Sequence, residues 1–449
     1  MPANSNNQDL LSSWKEIAGY LDCDERTCRR YELNFGLPIH RMEGTSKPRV
    51  YAYKGELDAW RKERLNGVLD KYRKELAAPK RRKLKAAKML PWLLPFLAII
   101  PAIFFLIRSS PGQPADFRIL GSKLIVLDEK GRRLWEIETK LHNLISEQAY
   151  RVRFQVPSRF PLNETLLPFL VIRDINRDRK NEILFCPKTI DSFKETGLYC
   201  FSSNGNELWH YQADRELVFG EHTYSADYRI YGIELFDTND DGNLEVFLFT
   251  GHIPHSPSGL VMLDCLGRTL GEFTNWGRFN DIACADLDAD KKKEVIIIGM
   301  NDEYRCGFLA VFDSSRVSGS SPQSERYKCK NCGPGSEKYY ILFPRTDVDK
   351  TLKPDKVSID QILLLKNHRI QLQAQISHIF FELDFSLRVQ DIKGSDSFRR
   401  QHRDLKAAGK ITSVLDDAYY EELKSGVLYW DGTEWTSTPT MNRKWNNPR

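Results

Sequence analysis

The spacing of apolar positions changes along this chain, and each pattern predicts a different kind of structure. Near the N-terminus, Trp14, Ile17, Ala18 and Leu21 recur at the three- and four-residue intervals of an amphipathic helix. Residues 89–107 then form one uncharged, apolar run of 19 positions. After that run, apolar and polar positions alternate in short stretches separated by turn residues, which is typical of antiparallel strands.

The run 89–107 has the length and polarity of a membrane-spanning helix, which needs about 20 apolar residues. A signal peptide would lie nearer the N-terminus, and a buried core helix would not easily accommodate Pro91, Pro95 and Pro101. Only Arg108 follows the run, whereas six basic residues precede it: Lys80, Arg81, Arg82, Lys83, Lys85 and Lys88. Because positive residues stay inside, we expect the N-terminal part in the cytoplasm.

The apolar run divides the chain into four predicted segments. They are a small α+β domain at residues 1–64, a basic linker helix at 65–88, one transmembrane helix at 89–108 and an all-β domain at 109–449. Residues 1–88 carry 20 Lys and Arg against 12 Asp and Glu, while the last segment carries 45 against 49. The excess positive charge suits a polyanionic partner inside, either nucleic acid or anionic membrane lipid.

The first segment contains the signals of two short helices joined by a tight turn. Ser13 and Glu16 form a capping-box pattern at the start of the first helix. Asp24 is placed to cap the second helix. That second helix carries four residues suited to DNA contacts: Arg26, Thr27, Arg29 and Arg30. Arginines within one turn can bind phosphates and the acceptor edge of guanine, so the pattern predicts a helix-turn-helix.

A wing-like hairpin and a last helix follow in the sequence. Residues 37–41 and 49–53 flank a turn around Gly44, and Leu57 and Trp60 lie one turn apart on the core side of the last helix. The motifs SWKEIA, RTCRRYE, GLPIHR and YKGELDAW resemble, in this order, the winged helix-turn-helix of the MerR and excisionase type.

This resemblance implies which residues contact DNA. The second helix would read the major groove, and the wing would contact the DNA backbone or minor groove, through these residues: Arg26, Thr27, Arg29, Arg30, Lys47 and Arg49. A domain that binds protein through the same exposed arginines is the alternative.

The segment after the apolar run repeats itself. A pattern of two apolar strands around a Gly-containing turn occurs at residues 123–138, 197–212 and 259–274, and weaker copies start at Phe308 and His378. Successive starts lie 74, 62, 49 and 70 residues apart. This spacing suits the three- or four-stranded blades of a β-propeller.

Acidic loops between the hairpins are the main candidates for chemistry. Their first, third, fifth and ninth positions offer oxygen ligands: Asp174, Asn176, Asp178 and Glu182; Asp237, Asn239, Asp241 and Glu245; Asp286, Asp288, Asp290 and Glu294. Together with a carbonyl near position seven, such a loop can surround Ca²⁺. The second loop is favoured by Gly242 at position six, where Arg179 and Lys291 bring positive charge in the first and third loops. We rank the second loop first, the third next and the first last, with metal-free acidic turns as the alternative.

The loop pattern D-x-[DN]-x-D-x-x-x-E followed by Val or Ile resembles the FG-GAP and VCBS repeats of integrin-like β-propellers. The resemblance extends over residues 120–435 and leaves the number of blades open. It implies a propeller that binds a ligand or matrix and carries structural calcium. A further loop start at Asp347 and Asp349 is degenerate.

The cysteines give two smaller predictions. Cys329 and Cys332 form a C-x-x-C pattern with no second pair or His pair to complete a zinc site, so we predict a disulfide within one loop. Cys186 and Cys200 are placed so that they could face each other across a hairpin.

The sequence favours a regulator over an enzyme. His252 and His255 flank a proline in a short surface-like stretch, and no Ser-His-Asp set, phosphate loop or isolated carboxylate pair accompanies them. We expect a single-pass protein of the inner membrane that binds duplex DNA in the cytoplasm and contacts membrane lipid. Its calcium-binding propeller would sense an unknown ligand outside, and homodimerisation is one route for the signal. A membrane-anchored adhesion or scaffold protein is the alternative, and an anchored hydrolase is less favoured.

Overall fold

The computed structural model divides the chain into two compact units, Met1–Phe105 and Leu106–Arg449. The described residues are 9–21, 28, 37–41, 50–59, 112–155, 167–189, 197–225, 228–252 and 256–445. No helix among them is long and apolar enough to span a membrane. The predicted transmembrane run 89–107 and the linker helix 65–88 lie outside the described residues.

The first unit packs a short helix against a small antiparallel sheet. Its elements are β1 Leu10–Leu11, α1 Trp14–Leu21, β2 His40–Arg41 and β3 Val50–Tyr53, in the strand order β1-β3-β2, and residues 54–59 are again helical. Ile17, Cys28, Ala52 and Leu57 are fully buried in its core. The predicted first helix and the antiparallel pairing expected for the wing are therefore confirmed.

The start of α1 follows the predicted capping pattern with one change. The backbone N–H of Glu16 donates to Ser13 Oγ at 3.2 Å, as expected. The Glu16 carboxylate, however, accepts from the N–H of Ser12 at 2.7 Å. The reciprocal contact is thus shifted by one residue, and it still satisfies an N–H ahead of the first turn.

The second unit is mostly β and contains five consecutive sheets, which are antiparallel except for one parallel edge strand in the third. The first sheet contains β4 Pro114–Leu120, β5 Lys123–Asp128 and β6 Arg133–Glu138, and the second contains β7 Leu170–Arg173, β8 Glu182–Phe185, β9 Gly197–Phe201 and β10 Glu207–Gln212. A separate pair is formed by β11 Leu217–Phe219 and β12 His222–Tyr224, and the third sheet contains β13 Tyr228–Phe236, β14 Glu245–His252, β15 Ser258–Leu263 and β16 Thr269–Asn275.

The fourth sheet begins with β17 Gly277–Ala285, β18 Glu294–Asn301 and β19 Cys306–Asp313. The next strand, β20 Ser318–Ser320, joins the third sheet, whereas β21 Tyr339–Phe343 belongs to the fourth. The fifth sheet contains β22 Ile359–Leu365, β23 Arg369–Ala374, β24 Ile379–Asp384 and β25 Val389–Gly394.

The fourth sheet is completed by strands from far along the chain. After the fifth sheet, β26 Leu428–Trp430 and β27 Trp435–Thr436 return to it, and β26 pairs with β21. The helices of this unit are α2 Glu147–Gln155, α3 Asp347–Leu352, α4 Asp396–Ala407 and α5 Asp417–Ser425, followed by a 3₁₀ turn at Arg443–Trp445. The expectation of an all-β domain is therefore wrong in detail, because helices cover part of the core around the fifth sheet.

Buried side chains join neighbouring sheets in series. One hydrophobic cluster spans the first three sheets, another spans the third and fourth, and another spans the fourth and fifth. Phe117, Phe308 and Phe381 are examples, each at most 1 % exposed. Within the described ranges, none of these clusters contains side chains of both the first and the fifth sheet. The blade-like sheets thus stack one against the next, as the repeat pattern predicted.

A tryptophan on the last strand of one sheet contacts a hairpin turn of the next sheet. Trp135 Nε1 and Trp209 Nε1 donate to turn carbonyls at 2.8 and 3.0 Å. Each indole packs on a turn glycine, Gly205 or Gly267, with φ of +84° and +80°. A Cβ at these positions would lie 2.8 and 2.5 Å from the ring, so both the backbone conformation and the contact require glycine.

Two of the predicted repeat copies are wrong. The strand at Phe308 is β19, which pairs with β18 on one side and with β21 on the other. No short hairpin follows it, because residues 314–338 are inserted where the turn was expected. Asp347 and Asp349 begin helix α3, in which Thr346 and Asp349 form a capping box. The other four hairpins, including the copy near His378, are confirmed.

The predicted loop disulfide is confirmed between Cys329 and Cys332. The expected pairing of the other two cysteines is wrong, because Cys200 lies opposite Leu184 in the strand register and Cys186 follows the end of β8. The side chains of Cys186 and Cys200 contribute to the core of the first three sheets.

Candidate metal centres: three acidic loops

The three acidic loops occupy the same place in three successive sheets. Residues 174–182 connect β7 to β8, residues 237–245 connect β13 to β14, and residues 286–294 connect β17 to β18. All twelve predicted ligand residues are described. Among the described residues, the acidic oxygens come within 4.8 Å of one another only in the third loop, at Asp286, Asp288 and Glu294. The first position immediately follows a strand and the ninth begins the next, so the sheet fixes both ends of each loop.

The loops share one backbone conformation. Positions four and six have positive φ in each: Arg177 and Arg179 at 63° and 67°, Asp240 and Gly242 at 59° and 87°, Ala289 and Lys291 at 63° and 71°. A non-glycine residue in this conformation costs about 1–2 kcal/mol. Gly242 therefore does not set the second loop apart in backbone conformation, since Arg179 and Lys291 adopt the same bend.

The same hydrogen bonds hold the loop side chains inward. The N–H of position six donates to Oδ2 of position one at 2.9 to 3.0 Å in all three loops. The N–H of position five donates to Oδ1 of position three, and that of position seven to Oδ1 of position five. The oxygen side chains at positions one, three and five are thus preorganised by the backbone.

The glutamate at position nine is buried in every loop. Glu182, Glu245 and Glu294 are 2 %, 6 % and 2 % exposed, and each accepts from the N–H of position two at 2.8 to 3.0 Å. Burial, with Asp178 and Asp174 nearby, raises the pKa of Glu182 to about 7. A carboxyl in this environment is stabilised by a proton or by a cation.

One oxygen has no donor in each loop. Oδ1 of Asp174, Asp237 and Asp286 is buried and accepts no hydrogen bond from any described residue. A buried acceptor left unsatisfied costs about 1–3 kcal/mol. The same oxygen, Oδ1 at position one, lacks a donor in all three loops, so it is available to bind a cation.

The loops lie side by side in a row. The N–H of Leu244 in the second loop donates to the carbonyl of Ile175 in the first at 2.8 Å, and the N–H of Lys293 in the third donates to the carbonyl of Thr238 in the second at 3.1 Å. These pairs join position eight of one loop to position two of the loop before it. A change in one loop therefore reaches the backbone of its neighbour.

The third loop differs because it contains an ammonium group. Lys338 Nζ lies 2.6 Å from Glu294 Oε1 and 3.1 Å from Asp288 Oδ2, and its side chain is 10 % exposed. Burial alone would lower the pKa of Lys338, but these hydrogen bonds raise it above its usual value. Oxygens of Asp286, Asp288 and Glu294 lie within 4.8 Å of one another, a spacing that could also hold a metal ion.

The spacing of the sequence could not reveal Lys338, which lies 44 residues beyond Glu294. A second group that sequence reasoning missed surrounds Asp347, whose carboxylate accepts from Ser413 Oγ and from Tyr419 Oη. His402 Nε2 lies 2.8 Å from Ser413 Oγ. Because the carboxylate contacts the serine and not the far nitrogen of the imidazole, this is not the arrangement that activates a serine nucleophile.

The other predicted site residues have different outcomes. The DNA-contacting set lies outside the described residues, as does His255. His252 is packed edge-on against Tyr224 and Tyr228, with ring centroids 5.2 and 5.4 Å away.

The fold and the loops together define a mostly-β domain of consecutive sheets with a repeated acidic loop. No family model matches the chain, and no curated protein matches it. Among solved structures, it is similar to a protein of unknown function from Bacteroides caccae (13 % identity, TM-score 0.27, covering 63 % of this chain and 74 % of that one). It is also similar to the C-terminal domain of Pseudomonas aeruginosa PilY1 (14 %, 0.32, 67 % and 59 %) and to the Dos1 propeller (11 %, 0.30, 61 % and 65 %). The chain spans less than two thirds of these last two. All three TM-scores are below 0.5, so the architecture is described from the strand pairing of the chain itself.

Proposed function

We propose that this chain is a membrane-anchored, one-component transcription regulator. Its N-terminal unit would bind duplex DNA in the cytoplasm, one helix would cross the inner membrane, and its mostly-β unit would bind calcium and an unidentified ligand outside. The domain order supports this proposal, since no kinase or receiver pattern lies between the two ends of the chain in the sequence.

One observation carries the DNA-binding part of the proposal. Cys28 is helical and fully buried in the small core beside Ile17 and Leu57. In the predicted second helix, Arg26 and Arg30 are each two positions from Cys28, which places them about 200° around the axis from the buried side. The face presented away from the core would therefore be the basic one.

DNA binding by the full-length chain in detergent tests this part. We expect Arg29→Ala or Arg30→Ala to weaken binding by about 1–3 kcal/mol if the residue reads a base, and to lower the salt slope by about one if it binds a phosphate. Lys15→Ala on the exposed side of α1 removes the same charge and should have little effect on sequence preference. Unchanged binding in both arginine variants would contradict the recognition-helix assignment.

The unpaired Oδ1 at position one of each loop carries the calcium part of the proposal. Ca²⁺ would bind only the folded loop, so free ion at 100 times its dissociation constant should add about 2.7 kcal/mol per site. We expect calcium to raise the melting temperature of the full-length chain and chelator to lower it.

A matched pair of variants in the second loop tests this role. Asp241→Ala removes the predicted ligand at position five, whose carboxylate accepts from Asn239 Nδ2 within the loop, and should abolish most of the gain from this loop. Asp240→Ala is the control, because Asp240 is exposed and pairs outward with Lys293 Nζ at 2.7 Å. A melting temperature indifferent to calcium and chelator would show that the carboxylates only shape turns.

A further inference from the structure

We propose that the ammonium of Lys338 takes the place of calcium in the third loop, so that the chain holds two calcium ions and one built-in cation. This inference rests on the calcium-binding function proposed above. It also reverses the order expected from the sequence, in which the third loop ranked above the first.

Lys338 uses two of the oxygens that an ion would need, while Oδ1 of Asp286 still has no donor among the described residues. Lys338 bonds Glu294 Oε1 at 2.6 Å and Asp288 Oδ2 at 3.1 Å, which are ligands at positions nine and three. In the first and second loops, no described lysine or arginine lies within ion-pair distance of the glutamate at position nine. A calcium ion bound through Glu294 would lie directly beside a like charge in a site with little water to screen it.

The sequence difference between the loops matches this replacement. Position three is Asn176 in the first loop and Asn239 in the second, but Asp288 in the third. The third loop therefore has one extra carboxylate, and Lys338 contacts that carboxylate as well as Glu294.

The surrounding structure holds the ammonium in place. The carbonyl of Lys338 accepts from the N–H of Asn442 at 2.9 Å. The Lys338 Nζ lies 5.6 Å from the centroid of the Trp445 ring, and Trp445 Nε1 donates to the carbonyls of Ser336 and Glu337 at 3.0 and 3.2 Å. These contacts fix the backbone at residues 336–338 and place the Trp445 ring beside the ammonium.

Calcium stoichiometry of the full-length chain, measured by calorimetry in detergent, tests the inference. We expect two ions in the wild type and three in Lys338→Met. The double variant Asp288→Asn with Lys338→Met restores the asparagine of the other loops and should also bind three. Lys293→Met is the matched control and should keep two, because Lys293 contacts only Asp240 and the carbonyl of Asp237 beside the second loop.

A second measurement avoids any variant of the buried lysine. Asp286→Asn in the wild type should leave two ions, whereas Asp237→Asn should leave one. Three ions in the wild type, a loss on Asp286→Asn, or no gain in folded Lys338→Met protein would overturn the inference. An ion gained only in Lys338→Met, with none in the wild type, would support the role of Lys338 in the third loop but overturn the two calcium ions, and with them calcium binding as the native function.

Discussion

Replacing Glu182 by Gln should change how the stability of the calcium-free protein depends on pH. Burial, with Asp178 and Asp174 nearby, raises the pKa of Glu182 to about 7 from the ordinary 4.5. Because the folded state holds this proton more tightly than the unfolded state does, the contribution to stability is fully present below pH 4.5. It is lost as the pH rises to 7, and a shift of this size corresponds to about 3 kcal/mol.

The Glu182→Gln variant keeps an acceptor for the N–H of Ile175 but cannot ionise. We therefore expect its free energy of unfolding, measured with urea and chelator from pH 4 to 8, to lack this decline. Burial also raises the pKa of Glu337 to about 7, but that group contributes equally to both proteins and cancels in the difference. Parallel stability curves for the two proteins would refute the reasoning.

Calcium should couple to the same proton. A Glu182 carboxylate that binds Ca²⁺ must first lose its proton, so binding below pH 7 should release a proton and weaken about tenfold per pH unit. Calorimetry in two buffers of different ionisation enthalpy measures this release, and Glu182→Gln should lack it. An affinity that is constant from pH 5 to 8 would show that Glu182 does not contact the ion.

Two further predictions concern the stacking of the sheets and the topology of the chain. Gly205→Ala should destabilise the protein by about 1–3 kcal/mol more than Gly131→Ala, because both glycines have left-handed backbones but only the Cβ at Gly205 would clash, with Trp135. Equal shifts in melting temperature would contradict the role of the indole. A reporter active only outside the cytoplasm should be active when fused after residue 449 and inactive when fused before residue 1, and the opposite pattern would exclude the regulator proposal.

The hairpins and acidic loops were predictable because their signals are local. Alternation over six residues selects the buried side of a strand, and oxygen side chains two residues apart define a tight loop. The left-handed bend at position six does not distinguish the loops, although Gly242 favoured the second loop in the sequence. The hydrogen bond from position six to Asp174 or Asp286 holds Arg179 and Lys291 in that bend without glycine.

Contacts between distant segments were not predictable in the same way. Lys338 reaches Glu294 because β21 lies beyond β19 in the fourth sheet, and this order depends on the insertion at residues 314–338. The apolar run at Phe308 was correctly assigned to a strand, but its partner could not be read from spacing. Asp347 and Asp349 had the residue types of a loop, whereas Thr346 before them starts a helix.

The return of β26 to the fourth sheet also sets an order for folding during synthesis. Strand β21, with the sequence YYILF, gains its second neighbour only after residues 428–430 have been synthesised, which follows the whole fifth sheet. Until then its backbone N–H and C=O groups form an apolar edge open to pairing with other chains. A chain cut between residues 394 and 428 would keep all three acidic loops but leave this edge unpaired, so it should aggregate more readily than the full-length chain.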